Sequence, residues 1–383
     1  MSEYRITDFG AVGDGVTDCT AAIQTAIDKA AAEVSGGLVL VPPGVFRTGT
    51  VKLCPHVSLQ GTAGWGFRSL GGSVLQFNGS GLSLVDITGA LGCRVSGLCL
   101  DGGKLGKNTH GILFGRENFF DHPEEDAFIV EDTQIRHFSG TGMYLQYACC
   151  FSVRHCHIIE NSGDGIFLNS WDAFILDNQI SGNGGWGIRS ASMGVNNSAL
   201  TLTGNRVEWN HLGGFYLRHA RLWNITGNYF DRSGGPAIHI DRSLTAAESG
   251  DARWRKLPCQ SITITGNVFN RSGADFGGNL DTLSHCHLRL HECFGVTVTG
   301  NTFLVGMDDG WNDGRRSPEY ALVIEKLKGC VIMGNTWWKG FLNEGIHDLG
   351  GHGDGVIIAN NAGYPVPEAD IDPDGHMSVQ WEN

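Results

Sequence analysis

The chain has 383 residues, 40 acidic against 27 basic for a formal net charge of −13, with 57 glycines, 10 prolines and 11 cysteines. That balance excludes a general nucleic-acid or anionic-membrane surface, which needs a basic footprint, and the glycines follow no collagen-like period. No charged leader with an apolar core opens the sequence and no apolar run reaches about 18 residues, so neither a secretory signal nor a membrane span is expected.

The cysteines lack CxxC pairs, and Cys99, Cys156, Cys293 and Cys330 fall in or beside strand-like runs. Reduced, mostly buried thiols and a cytoplasmic setting are the expectation. No linker of Pro/Ser or like charge breaks the chain, so residues 1–383 read as one domain. Its parts are an opening segment 1–36, repeated coils 37–362 and a tail 363–383.

In the opening segment, YRITDFG gives a short strand and AVGDGVTD gives turns; TAAIQTAIDKAAAEV then places Ile23, Ala26, Ile27 and Ala30 at helical spacing. Asp18 or Thr20 is the expected N-cap. GLVLVPPGVFRTGTVKL and HVSLQG follow as strands broken by Pro42, Pro43 and Gly44.

Farther on, FILDN, LTLTGN, WNITGN, SITITGN, VTVTGN, VIMGN and VIIAN end on Asn178, Asn205, Asn228, Asn267, Asn301, Asn335 and Asn360. Thr133 and Cys156 extend the register backward, and successive spacings are 23, 22, 27, 23, 39, 34, 34 and 25 residues. A base period of 22 to 23 with inserted loops fits the coil of a parallel β-helix, a solenoid whose open end the opening helix would cap. Stacked asparagines would bond to one another at a corner, a structural role.

The run DFGAVGDGVTDCTAAIQTAI followed by VLVPPGVF resembles the N-terminal signature of the pectate-lyase-like superfamily of right-handed parallel β-helices. The resemblance covers about fifty residues and implies an all-β, single-stranded right-handed parallel β-helix with an N-terminal capping helix. It also implies a carbohydrate substrate and, from the habits of that architecture, a homotrimer. For reaction type it is nearly silent, since the superfamily holds hydrolases, lyases, fructan-processing transferases and phage tail spikes.

Weaker likenesses transfer no roles. Asp308-Asp309 and Gly351-His352-Gly353 are similar to polygalacturonase motifs, but the companion NTD and RxK are absent. GWGFRS (64–69) and LDGGKLGKNTHGI (100–112) are similar to inulin fructotransferase segments. That family's Asp and Glu eleven residues apart are missing from the matching coil, where His155 and Ile166 stand.

The repeat predicts which side chains meet. A second strand in each coil carries Met143/Leu145, Ile166/Leu168, Ile188/Ser190, Phe215/Leu217, Ile238/Ile240 and Leu288/Leu290 inward. The residues between them, Tyr144, Phe167, Arg189, Tyr216, His239 and Arg289, point outward on rungs ~4.8 Å apart. Arg218, Asp241, His291 and Glu292 follow that strand, Asp172 lies beyond it, and Asp164 sits at the glycine corner before it. His287 is expected near Asp241. Loops around 242–258 and 305–318 carry Trp254 and Trp311 as candidate sugar platforms.

Three residues past consecutive Asn addresses stand Glu208 and Asp231, a pair of carboxylates suited to acid–base glycosidic cleavage. The catalytic candidates are therefore Glu208, Asp231, Asp241, His239 and Arg289, with Tyr144, Phe167, Asp164, Asp172, Arg189, Tyr216, Arg218, His287, His291, Glu292, Trp254 and Trp311 as substrate contacts. The carboxylate pair places hydrolysis ahead of elimination or intramolecular fructosyl transfer; a non-catalytic glycan-binding or structural β-helix is the competing class. No redox cofactor is implied. GDG at 13–15 and 353–355 leaves Ca²⁺ as an alternative to plain turn chemistry.

Overall fold

A computed structural model describes residues 2–117, 125–190, 197–242, 244, 248, 258–273, 281–304, 318–338 and 340–364. The fold is a right-handed parallel β-helix, and its Cα atoms cluster into two compact units. Among the described residues the first runs to Thr201 and the second begins at Leu202.

In the first unit the helix Thr20–Ala31 buries Ile23, Ala26, Ile27 and Ala30, the four expected positions. It packs on the strands Glu3–Arg5, Leu38–Leu40 and Val51–Lys52, so the first rungs are covered. Neither predicted residue is the N-cap, which is Cys19; Asp18 instead accepts from Thr20 N at 2.9 Å. At the GDG turn of residues 13–15, Asp14 Oδ1 accepts from Val16 N and Thr17 N, each at 2.8 Å, so the carboxylate closes its own turn. The thiols are free, and all but Cys54 and Cys150 are buried.

In the second unit the strands of each coil stack in parallel on their equivalents in the next. One ladder runs through Gly213–Leu217, Ile238–Ile240, Cys286–His291 and Tyr320–Glu325. A second runs through Arg206–Glu208, Tyr229–Asp231, Val268–Asn270 and Thr302–Leu304. Inside, Phe230, Phe269 and Phe303 stack like upon like, with centroids 5.1 and 4.7 Å apart. Identical aromatics on successive rungs bury large apolar area and fix the register against slippage.

Two devices turn the corners. In the TGN and MGN motifs, Gly227, Gly266, Gly300 and Gly334 take φ of 64 to 66°, the left-handed region that glycine enters without steric cost. The following asparagines form a ladder: Nδ2 of Asn228, Asn267 and Asn301 donates to Oδ1 of the next at 2.9 to 3.0 Å. Each also donates to a backbone carbonyl. The ladder's last member is Asn361, which accepts from Asn335 at 2.9 Å, and not Asn360. Asn360 occupies the glycine address with φ 54°, so the VIIANN repeat is displaced by one residue from the sequence reading. The first unit has another such link at a different corner, Asn161 to Asn183 at 3.0 Å.

Two residues before each outward-facing strand residue lies a buried position held mostly by Gly or Ala. A Cβ on Gly214 would meet Ala237 O at 2.3 Å, and the equivalents on later rungs are Ala237, His287 and Ala321. His287 is the one large residue of the four.

Candidate active site

The first ladder of the second unit presents Tyr216, His239 and Arg289 in direct register, as the alternation of inward and outward residues requires. They stay partly exposed while their neighbours Phe215, Leu217, Ile238, Ile240, Leu288 and Leu290 are buried. The ring of Tyr216 meets His239 edge-on, 5.2 Å between centroids at 86°.

Asp241, just past the strand, gathers the groups around it. Tyr216 OH donates to its Oδ2 at 2.6 Å, Arg218 Nη2 donates to the same oxygen, and Arg242 N donates to Oδ1 at 2.8 Å. His291 Nδ1 lies 3.3 Å from Oδ1, and its Nε2 lies 3.5 Å from Glu325. Arg289 is held by Asp281 at 3.1 Å and Ser284 at 3.0 Å.

These contacts set the protonation states. Burial alone would raise the Asp241 carboxyl, but bonds from His291, Tyr216 and Arg218 outweigh it and hold the acid far below the ordinary carboxylate range. Burial, then the Asp241 charge, pushes the Tyr216 phenol well up. Burial lowers His239 to about 4 against the opposing pull of the Asp241 charge. At neutral pH the cluster thus offers an ionised carboxylate, a neutral imidazole, a protonated phenol and two guanidinium groups.

Glu208 and Asp231 are neighbours on consecutive rungs, as expected, yet they do not form an open acid–base pair. Asp231 has 0% exposure: Arg271 grips it through Nε at 2.8 Å and Nη2 at 2.7 Å, and Arg232 Nη1 takes Oδ2 as well. Burial raises this carboxyl while Arg271 and Arg232 pull it down. Glu208 is buried against Arg206 at 2.8 Å. A substrate cannot reach Asp231, so the pair leaves the set of catalytic candidates. The sequence shows Arg232 beside Asp231 but gives no sign that Arg271, forty residues on, folds over it.

His287 is corrected too. It occupies the inward small-residue position, fully buried beside the stacked Phe269 and Phe303 at 6.3 and 5.7 Å, and burial lowers it to about 3. Strict alternation from Arg289 pointed it outward; the Gly/Ala column at this address was the signal that it turns in.

In the first unit Tyr144, Phe167 and Arg189 share one column, as predicted. Tyr144 stacks on Phe167 at 4.7 Å and Arg189 lies over the same ring at 4.8 Å. Phe167 is therefore sandwiched and only 8% exposed, with no free face for a sugar. Asp164 is buried as well: it accepts from Arg189 Nε at 2.7 Å and Trp186 N at 2.9 Å, which makes it the brace of this stack. Asp172 sits at a left-handed corner, φ 53°, on an apolar groove with Phe128, Phe151 and Phe174. Glu292 holds a left-handed corner, φ 51°, beside His291. Trp254 and Trp311 lie outside the described residues. Glu325, which follows the outward strand in the repeat, also belongs to the Asp241 face, as do Asp281 and Ser284, which the repeat did not bring forward.

Comparison with known proteins decides the family. Residues 4–207 match the profile described as rhamnogalacturonase A/epimerase, pectate lyase-like. The chain belongs to this family. Among relatives, mannuronan C5-epimerase AlgE4 of Azotobacter vinelandii is 36% identical over 196 residues, 47% of this chain and 34% of that protein. AlgE2 of the same organism is 31% identical over 196 residues, 47% of this chain and 19% of that one. The match thus spans well under two thirds of these relatives' length. Among solved structures, the AlgE4 A-module superposes with TM-score 0.71 at 20% identity, covering 95% of this chain and 96% of that one. A DFA-IIIase from Arthrobacter chlorophenolicus A6 gives 0.63 at 17%, covering 95% and 99%. At these identities the likeness shows the β-helix fold.

The pectate lyase-like profile stops at residue 207, short of Tyr216. The chemistry of the Asp241 face therefore has to be argued from its own geometry.

Proposed function

We propose that this pectate lyase-like protein is a carbohydrate-active enzyme that removes the proton α to the carboxylate of a uronic-acid residue in a polysaccharide, leading to elimination or epimerisation. The carrying observation is the set of protonation states on one face: Asp241 ionised, His239 neutral and Tyr216 protonated, with Arg218 and Arg289 beside them.

Glycoside hydrolysis asks for a carboxylic acid that keeps its proton at working pH. Asp241 and Glu325 are both shifted the other way, and the carboxyl that is shifted upward among the described residues of this unit, Asp231, is sealed. The paired carboxylates that placed hydrolysis first in the sequence reading therefore lose their weight.

Proton abstraction next to a carboxylate asks for different parts. A neutral imidazole accepts the proton, cations offset the charge that spreads onto the carboxylate, and an acid gives a proton to the leaving oxygen or back to carbon. His239 fits the base, Arg289 and Arg218 the cations, and Tyr216 the acid. Asp241 holds Tyr216 and Arg218 in place from below. The relatives named mannuronan C5-epimerases support a uronate polymer as the substrate class.

The test is incubation with alginate and pectate oligomers, read by mass and ultraviolet absorbance. Elimination gives an unsaturated end one water lighter than the hydrolysis product, and epimerisation in D2O gives deuterium at C5 without chain cleavage. Either outcome supports the reading. Products carrying an added water identify a hydrolase, with Asp241 and Glu325 on either side of His291 as its carboxylates, and reject it. Binding without any turnover returns the chain to the glycan-binding class and rejects it too.

A further inference from the structure

The first unit holds a cavity of about 640 Å³ lined by none of the residues of the Asp241 face. One wall is Trp65 and the polar lining includes Gln60, Arg94, Glu131, Asp132 and His155. We propose that this cavity is a second, non-catalytic saccharide site, specific for neutral sugars, with the Trp65 indole as its platform. Its size lies within the roughly 300–1,000 Å³ of small-ligand sites.

Three observations point to a built site. Trp65 is half-exposed on a loop that is fixed in place: Ala63 bridges Gly72, Thr62 N donates to Ser73 Oγ at 2.9 Å, and Gln134 Nε2 donates to the carbonyls of Gly66 and Phe67 at 3.0 and 3.3 Å. Phe67 adds an edge contact to His157 at 6.1 Å. The loop ends cannot loosen easily, since a Cβ at Gly72 would lie 2.1 Å from Thr62 O. A tryptophan held over a cavity, with its indole N–H unbonded among the described residues, is an apolar face left open at a fixed position, and such a face suits the C–H surface of a pyranose or furanose ring.

The floor is the second observation. Glu131, with a side chain only 9% exposed, is clamped between Arg94 Nε at 2.6 Å and Arg154 Nε at 2.8 Å, so its charge is neutralised in place. Asp132 and the Gln60 amide stay accessible, and the Gln60 side chain has no partner among the described residues. Carboxylate and amide oxygens accept from sugar hydroxyls, and the amide also donates.

Charge is the third and sets the ligand class. Arg94 contributes one positive charge to the lining against two negative ones from Glu131 and Asp132, and that arginine is already paired. Because Arg94 and Arg154 are both taken up by Glu131, a uronate would find no open guanidinium in the lining and would face the Asp132 carboxylate, whereas the Asp241 face offers Arg218 and Arg289. The two faces thus select opposite kinds of sugar unit.

The test uses the full chain carrying Asp241→Asn, so that turnover at the other face does not interfere. Gluco-, galacto-, manno- and fructo-oligosaccharides, and uronate oligomers for contrast, are titrated by calorimetry and tryptophan fluorescence. At least one neutral series should bind at millimolar concentration or tighter. Trp65→Ala should weaken it by about tenfold or more, and Trp65→Phe by less. Gln60→Arg, which fills the cavity from an exposed strand position, should also weaken it and serves if the Trp65 variants fail to fold. No neutral series binding at millimolar concentration, equal binding after both Trp65→Ala and Gln60→Arg, or a preference for uronates lost on Trp65→Ala would each overturn the proposal. The site stands or falls independently of catalysis at Asp241, because binding here and products there are separate readouts.

Discussion

Asp231 and Asp241 lie ten residues apart in one coil, and each has arginine at hand, yet they end in opposite states. Asp231 is closed between Arg232 and Arg271 with 0% exposure. Asp241 keeps 15% of its side chain exposed and binds one guanidinium, a phenol, a backbone N–H and an imidazole. The difference comes from the neighbouring rung. Beside Asp231 the next coil delivers a second arginine at a tight left-handed corner, φ 51°; beside Asp241 it delivers His291 and leaves an opening. An acid next to a basic residue is thus uninformative until the residue one coil away is known. A carboxylate locked by two guanidinium groups supports the fold, and one left partly open can support chemistry.

This contrast can be broken most sharply at Asp241. Asp241→Asn should leave the chain folded and reduce turnover of a uronate oligomer by about 10²- to 10⁴-fold, the range expected when an acid–base array is disrupted. A rate within twofold of the unsubstituted protein would show the open acid to be idle. The mirror experiment is Asp231→Asn, which leaves two buried guanidinium groups without their counter-charge. Unfolding in denaturant should show a loss of about 3–5 kcal/mol. A loss below about 1 kcal/mol would mean that Asp231 is not a structural anchor.

A smaller effect tests the corner opposite the site. Asn267→Ala removes the link between Asn228 and Asn301 and strands buried backbone groups, so a loss of about 1–3 kcal/mol is expected by the same measurement. A pH effect is expected at His287. Its folded pKa of about 3 lies below the ordinary value near 6.5, so the unfolded chain takes up the proton first as pH falls. Stability from this group is complete above about pH 6.5 and drains away between there and about pH 3. His287→Ala, matching Ala237 and Ala321, should reduce the slope of stability against pH in that window by about one proton, roughly 1.4 kcal/mol per pH unit. An unchanged slope would show that His287 is not buried as a neutral ring.

The repeat made the scaffold readable because each coil reports the same geometry again. The helix face of Ile23, Ala26, Ile27 and Ala30 and the columns Tyr144–Phe167–Arg189 and Tyr216–His239–Arg289 follow from two periodicities alone. What the sequence hid was lateral closure. Insertions of unequal length separate Asp231 from Arg271, so their meeting at 2.7 Å has no periodic signature. Phe167 looked like a platform because alternation gives a direction but does not say that Tyr144 and Arg189 cover both of its faces. The final asparagine slipped by one, from Asn360 to Asn361, because both positions carry the same residue and only the left-handed φ separates them.

The most direct test is a uronate oligomer incubated in D2O with the unsubstituted chain and with Asp241→Asn, followed by mass spectrometry and NMR of the sugar. The account predicts C5 deuterium or an unsaturated end from the first and neither from the second. Cleavage products carrying an added water, or identical products from both proteins, would contradict it.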